Sequence, residues 1–234
     1  MANVEMLTNG QFQAVYNVLS LALAAMGATT IFLLVVQARV LPRYRVAVVV
    51  SAMVCLIAAY HYFRIFNSFS DAYVAIEAGA PGVQDSYQLV KGVGFNEGYR
   101  YVDWLLTVPL LLFETIAVLA LPRAVRSSLL WKLIPASALM IILGFPGEIT
   151  NEIAPKAVWG ALSTIPFIYI LYVLFVELSR AAKSQPNQVG KELAGLRWLL
   201  LATWGVYPIS YMFPMFGLDG ADSFDLLDIA ASAL

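Results

Sequence analysis

Between Tyr99 and Thr115 the chain reads YRYVDWLLTVPLLLFET, and four residues in this stretch can hold a charge or pass a proton: Arg100, Asp103, Thr107 and Glu114. At about 100° per residue they fall at roughly 0°, 300°, 340° and 320° around a helix, a stripe only about 60° wide. Leu105, Leu106, Val108 and Leu110 to Phe113, which lie between them, are apolar. A helix that is apolar nearly all round with one file of ionisable groups is a membrane-crossing helix turned toward a polar interior. Ionisable residues at membrane depth are costly and mark ion and proton paths. Asp103 and Glu114 lie about 16 Å apart along the axis, at roughly 1.5 Å per residue, and so form two stations of a proton path. A plainer reading pairs Arg100 with Asp103 at the membrane edge and lets Glu114 snorkel. It leaves the shared stripe unexplained.

The elements that must position this stripe are membrane helices. The chain has 234 residues, 61% hydrophobic and 12% charged, with a mean hydropathy of +0.77. Soluble domains carry about 25% charged residues, so this is a polytopic membrane protein and not a soluble enzyme with a large core. A net charge of −1 gives no case for nucleic acid as a partner. The lone cysteine, Cys55, excludes an intrachain disulfide. No Lys or Arg occurs in the first ten residues, so the first apolar segment is expected to be a retained helix and not a cleaved signal. Apolar runs predict helix A at about 12–38, B at 44–67, C at 98–121, D at 127–144, E at 156–180 and F at 192–215, each near the ~20 residues that span a bilayer. A last apolar segment from Ala221 to Leu234 is too short to span. The whole of 1–234 is expected to be a single transmembrane domain.

The connections alternate in charge. A–B carries Arg39, Arg43 and Arg45; C–D carries Arg123, Arg126 and Lys132; E–F carries Arg180, Lys183, Lys191 and Arg197. The opposite connections are acidic, with Asp71, Glu77, Asp85 and Glu97, then Glu148 and Glu152, then Asp219, Asp222 and Asp225. The positive-inside rule then places the basic loops in the cytoplasm and the N-terminus outside. The long B–C connection contains AYVAIEAG and SYQLV, alternating runs that predict a β-hairpin over the outer face.

On helix B, His61 falls at the depth of Asp103, which predicts a His–carboxylate pair; the alternative is a histidine bonded to backbone or water. Arg64 and Arg100 lie nearer the outer surface. On helix F, Trp204, Tyr207 and Tyr211 share one face, with Pro208 between them. Together with Trp104 they read as core packing or as an aromatic cage for an apolar ligand.

RYVDWLLTVPLLL, HYFRIFNS, GFPGEI, WGALSTIPF, YILYVLF and RWLLLATWGVYPISY together resemble the microbial (type 1) rhodopsins, most nearly the proteorhodopsin and xanthorhodopsin branch of light-driven proton pumps. The resemblance covers helices A to F and implies an all-α, seven-transmembrane-helix bundle, with helix G incomplete in these residues. It implies retinal as cofactor, the lipid bilayer and protons as partners, and a trimeric or pentameric homo-oligomer. Asp103 would be the counterion and proton acceptor, Thr107 would complete the acceptor motif, and Glu114 would be the proton donor. His61 would modulate Asp103. Tyr101, Trp104, Trp204, Tyr207 and Pro208 would line the retinal pocket. Leu111 stands at the position that goes with green absorption. Gly160 matches a position where a glycine opens a window for a carotenoid antenna, since a flat polyene can approach a residue without a side chain; the alternative is a helix-packing glycine.

In this family retinal is held by a lysine in helix G, four residues after an aspartate. No lysine follows Lys191 here, and Asp228 with Ser232 mimics the spacing with serine in its place. An incomplete helix G is the favoured explanation, ahead of a form lacking the lysine or a mis-joined reading frame. Two other functions stay open: a lysine-less, opsin-like protein that binds retinoid or a partner without a covalent link, and a photosensory rhodopsin. A carboxylic donor at Glu114 speaks against the sensor.

Overall fold

The computed structural model describes residues 6–76, 86–93, 96, 98–119, 121–150, 152–182 and 187–212. Their order is β1 (Met6–Thr8), α1 (Asn9–Val36), α2 (Pro42–Ala72), β2 (Tyr73–Ile76), β3 (Ser86–Leu89), α3 (Gly98–Val118), α4 (Arg123–Glu148), α5 (Ile153–Tyr172), a π-helical turn (Val173–Glu177), α6 (Leu178–Ala182) and α7 (Asn187–Met212). The fold is all-α with one small sheet, and α1, α2, α3, α4, the α5–α6 rod and α7 are the predicted helices A to F. The segment expected to begin helix G, with Asp228 and Ser232, lies outside the described residues.

Five of these helices are long and apolar enough to cross a membrane: Asn9–Arg39, Pro42–Ala72, Gly98–Val118, Arg123–Glu148 and Ile153–Arg180. The helix α7 matches them in length, but opens on the polar stretch NQVGKE. Several helices run past the apolar stretch that announced them. Hydropathy marks where lipid begins, whereas a helix continues until its end groups find other partners. Thus α1 begins at Asn9 because Thr8 and Gln11 form a capping box: Gln11 N–H donates to Thr8 Oγ1 at 3.2 Å and Thr8 N–H donates to Gln11 Oε1 at 2.9 Å. Pro42, which lacks an N–H to satisfy, opens α2. Hydroxyls inside the spans satisfy themselves on the preceding turn: Thr30 donates to Met26 O, Thr107 to Asp103 O and Thr115 to Leu111 O, each at 2.9 Å.

The predicted hairpin is present, with β2 antiparallel to β3. The strand β1 also joins it, on the other side of β3, giving the order β1-β3-β2. The sheet caps one end of the bundle; Arg39, Arg43, Arg45, Arg123, Arg126 and Arg180 mark the opposite, basic end. Two apolar clusters divide the interior. Under the sheet, Leu7, Phe12, Leu19, Tyr62, Ile65, Phe69, Ala72 and Tyr73 pack together. Phe12 stacks on Tyr87 with ring centroids 3.7 Å apart and on Phe69 at 5.1 Å. Toward the basic end, Leu112, Ile116, Leu129, Leu133, Ile170, Val173, Leu174 and Leu178 form the second cluster, with Trp204 against it. The middle of the α3 stripe lies between these two dry layers.

Candidate proton path and ligand pocket

Asp103 and Thr107 are buried, as the stripe requires. His61 is buried beside them, with Nδ1 3.4 Å from Asp103 Oδ1 and 2.9 Å from the carbonyl of Ile57. A carbonyl only accepts, so Nδ1 carries a proton and its hydrogen bond goes mainly to Ile57 O. The histidine is therefore held by its own helix while it presents positive polarity to the carboxylate. The depth argument from sequence holds: α2 and α3 bring the two side chains together. The same histidine also meets the ring of Tyr60 edge-on at 5.2 Å.

Asp103 Oδ1 is fully enclosed and, among the described residues, has no hydrogen-bond partner. Buried polar atoms are rarely left so, because desolvation without a partner costs about 1–3 kcal/mol. Thr107 does not supply the bond, since its hydroxyl donates to the Asp103 backbone carbonyl rather than to the carboxylate. Toward the sheet end, Tyr62 lies within electrostatic reach of both Arg100 and Asp103. Arg64 donates from Nη2 to the hydroxyl of Tyr99 at 2.8 Å and sits 5.0 Å from its ring centroid. Two arginines, Arg100 and the exposed Arg64, thus lie on the sheet side of Asp103.

At the other end of the stripe, Glu114 is half-buried and its Oε1 lies 2.5 Å from Ser51 Oγ on α2. Ser51 Oγ also lies 3.1 Å from the carbonyl of Ala47. A serine hydroxyl has one proton to give. If it goes to Ala47 O, the short contact is completed by a protonated Glu114 donating to Ser51. The arrangement suits a carboxylic acid that stores a proton. Sequence reasoning did not single out Ser51 or Tyr62. The signal for Ser51 was available: it is the one hydroxyl in RVAVVVSAMV, at the depth of Glu114.

The other predicted residues form walls. Tyr101 meets Trp104 at 5.1 Å and Phe145 at 5.4 Å, and its ring edges up to Gly144 of α4. Ser163 of α5 donates to Met140 O at 2.7 Å, closing the α4–α5 seam beside the same glycine. Trp204 packs against the inner apolar cluster, while Leu111 and Pro208 are half-buried. The side chain of Tyr207 lies outside the described residues. Gly160 does not stand open. A Cβ there would lie 2.6 Å from Cε1 of Tyr211, and one on Gly147 would run into the Tyr211 hydroxyl. The tyrosine ring lies in a slot made by the two glycines, with its hydroxyl donating to Lys156 O at 2.8 Å and Lys156 Nζ 5.0 Å from its centroid.

A family model described as bacteriorhodopsin-like protein matches residues 13–231. The chain is 30% identical over 210 residues to a green-light absorbing proteorhodopsin from Gamma-proteobacterium EBAC31A08, covering 88% of this chain and 74% of that one. It is 41% identical over 114 residues to a bacteriorhodopsin-II-like protein from Haloquadratum walsbyi (strain DSM 16790 / HBSQ001), covering 48% of this chain; the match spans 45% of that relative, less than half its length. Among solved structures it is similar to a thermophilic rhodopsin, with a TM-score of 0.88 and 43% identity over 98% of this chain and 89% of that one. It is also similar to xanthorhodopsin, described as a light-driven ion pump with dual chromophore, with a TM-score of 0.86 and 43% identity over 97% of this chain and 88% of that one.

Proposed function

The chain belongs to the bacteriorhodopsin-like family, and from that premise we propose that it is a retinal-binding, light-driven pump that carries protons outward. It is an integral, multi-pass membrane protein with the rhodopsin fold, and residues 1–234 are taken as one membrane domain. The observation that carries the proposal is Asp103 Oδ1, enclosed without a hydrogen-bond partner among the described residues. Such an atom fits a ligand that brings its own cationic N–H. Tyr101, Trp104, Leu111, Trp204, Tyr207 and Pro208 would hold the polyene. When bound as a protonated Schiff base, retinal supplies that N–H and a light-driven change of shape. The chain's residues do the rest. Asp103 takes the proton at Oδ1, and the Nδ1–H of His61 at 3.4 Å stabilises the carboxylate before transfer. Arg100, Tyr62 and Arg64 offer the outward continuation. Glu114, held by Ser51, refills the centre from the basic side. Asp103 with Thr107 and Glu114 makes a set for protons, and Leu111 favours green absorption.

A carotenoid antenna would lie against Gly160 only with the Tyr211 ring turned aside, since that ring now covers the glycine. A second reading is an opsin-like protein without covalent retinal; among the residues given, none is assigned as the anchor. Purified protein supplied with all-trans retinal decides between them. The pump reading expects a visible band that borohydride fixes to the protein and that Asp103→Asn shifts to the red. No fixed band supports the second reading, and a band unmoved by Asp103→Asn overturns the acceptor assignment.

A further inference from the structure

Arg64 is an exposed guanidinium within a membrane-crossing helix. The helix α2 has 31 residues, a length of about 46 Å at roughly 1.5 Å per residue. Centred on a hydrocarbon core of about 30 Å, it projects about 8 Å on either side. Arg64 stands eight residues before Ala72, where α2 ends, which is about 12 Å along the axis. It therefore falls at the edge of the hydrocarbon, the level from which an arginine reaches the lipid headgroups.

Its neighbours hold it in place. Nη2 donates to the Tyr99 hydroxyl of α3 at 2.8 Å, and the guanidinium carbon lies 5.0 Å from that ring's centroid. The hydroxyl of Tyr60, one turn back on α2, accepts from the same group. Tyr60 is steadied in turn by His61, whose ring meets it edge-on at 5.2 Å. Both phenols are neutral, and no carboxylate among the described residues pairs with Arg64. Asp71, seven residues on, lies about 10 Å further along the axis. A guanidinium carries five N–H donors in a flat fork, and the two phenols leave the rest for an anion.

Toward the bilayer centre the same face turns apolar. Met53, eleven residues before Arg64, lies within about 20° of it around α2, and Leu106, seven residues after Tyr99, lies within about 20° of that tyrosine around α3. Both are exposed, as are Leu56 and Val102 on the same two helices. From Arg64 to Met53 is about 16 Å, room for most of an acyl chain.

We propose that the α2–α3 seam at the sheet end holds an anionic phospholipid, with its phosphate on Arg64 and an acyl chain over Met53, Leu56, Val102 and Leu106. Charge complementarity selects the occupant. The guanidinium fork matches two phosphate oxygens at once, and the apolar stretch below suits a chain rather than a soluble anion. A zwitterionic lipid is disfavoured because its headgroup brings a second cation to the arginine. The site stands on this geometry and on the membrane location, and is independent of the pump reading.

The test replaces Leu106 by benzoylphenylalanine in the full chain, held in bilayer discs of equal parts phosphatidylglycerol and phosphatidylcholine, and identifies the photo-crosslinked lipid by mass. Phosphatidylglycerol is expected about fivefold enriched, the weight of one arginine near an anionic surface. Arg64→Gln should return the ratio to that of the mixture, while Arg43→Gln, at the opposite end of α2, should leave the enrichment intact. A second measurement leaves Arg64 in place. Leu139 is exposed nine residues from the sheet end of α4, as Leu106 is eight from that of α3, and the same crosslinker there should capture the two lipids equally. Equal capture at Leu106, enrichment that survives Arg64→Gln, or the same enrichment at Leu139 overturns the site. Crosslinks to a second copy of the chain would mean that a protomer covers the seam. Enrichment lost in phosphate buffer but kept in chloride of equal ionic strength would mean a site for a free anion. Either result overturns the lipid.

Discussion

Asp103 and Glu114 differ in what surrounds them, and that difference suits the tasks proposed for them. Asp103 is enclosed with an N–H of His61 facing it and one oxygen with no partner among the described residues; Glu114 is half-buried and shares a short hydrogen bond with a serine. In the proposed pump, the first receives a proton and the second keeps one. Replacing Ser51 by alanine removes the bond that holds Glu114, and the loss of about 1.4 kcal/mol expected of such a bond slows or speeds a proton step about tenfold. Time-resolved absorption should then show a late photocycle altered by that factor, with azide compensating in Glu114→Gln but not needed in the wild type. An unchanged cycle in Ser51→Ala would remove the serine from the path. The α3 stripe was legible in the sequence because one helix fixes the angles among its own residues. Ser51, Tyr62 and the lodging of Tyr211 against Gly160 were not, because which residue of one helix faces which residue of another depends on packing that no single period encodes. His61 was found only because depth supplied the missing coordinate.

At the level of elements, the sheet end is tied down by aromatic rings. Phe12 lies at the centre, touching Tyr16, Phe69, Tyr73 and Tyr87. Phe12→Ala should cost about 3–5 kcal/mol and loosen β1 and the β2–β3 hairpin together, seen as a lower thermal midpoint and faster exchange at Met6–Thr8. If exchange there is unchanged, the cluster does not hold the sheet. Alternating residues announced the hairpin, but β1 stayed hidden: three residues, MLT, carry too little pattern to be read as a strand, and pairing with β3 makes them one. Another element-scale contact is the lodging of Tyr211 against Gly147 and Gly160. Gly160→Ala places a methyl 2.6 Å from the ring and should destabilise the α5–α7 contact by about 1–3 kcal/mol. Tyr211→Ala should relieve it, so the double variant is more stable than the sum of the singles. Strict additivity would mean that the ring does not occupy the glycine slot. The π turn was equally invisible, because an inserted residue leaves composition and apolar runs unchanged.

Taken as a whole, the molecule is a polar centre between two dry layers. The aromatic and aliphatic cluster under the sheet closes one side, the leucine-rich cluster closes the other, and the α3 stripe threads between them. A pump needs such a layout, since a centre open to both sides at once would leak. We propose, on the positive-inside rule, that the basic end lies inside; a tag on the N-terminus should then be reached by a protease from the outside of intact cells, and protection there would reverse the direction assigned to every step. The seven-helix class and the family were legible in the sequence because the motifs on α2, α3, α5 and α7 are long. An anchor for retinal was not, because none of those motifs contains a lysine. One measurement bears on the central claim most directly: the pH outside a suspension of cells that make this protein and are supplied with retinal, followed through a light pulse. The account predicts acidification that a protonophore abolishes and that Asp103→Asn eliminates. An absent or alkaline response, or one that survives Asp103→Asn, would contradict it.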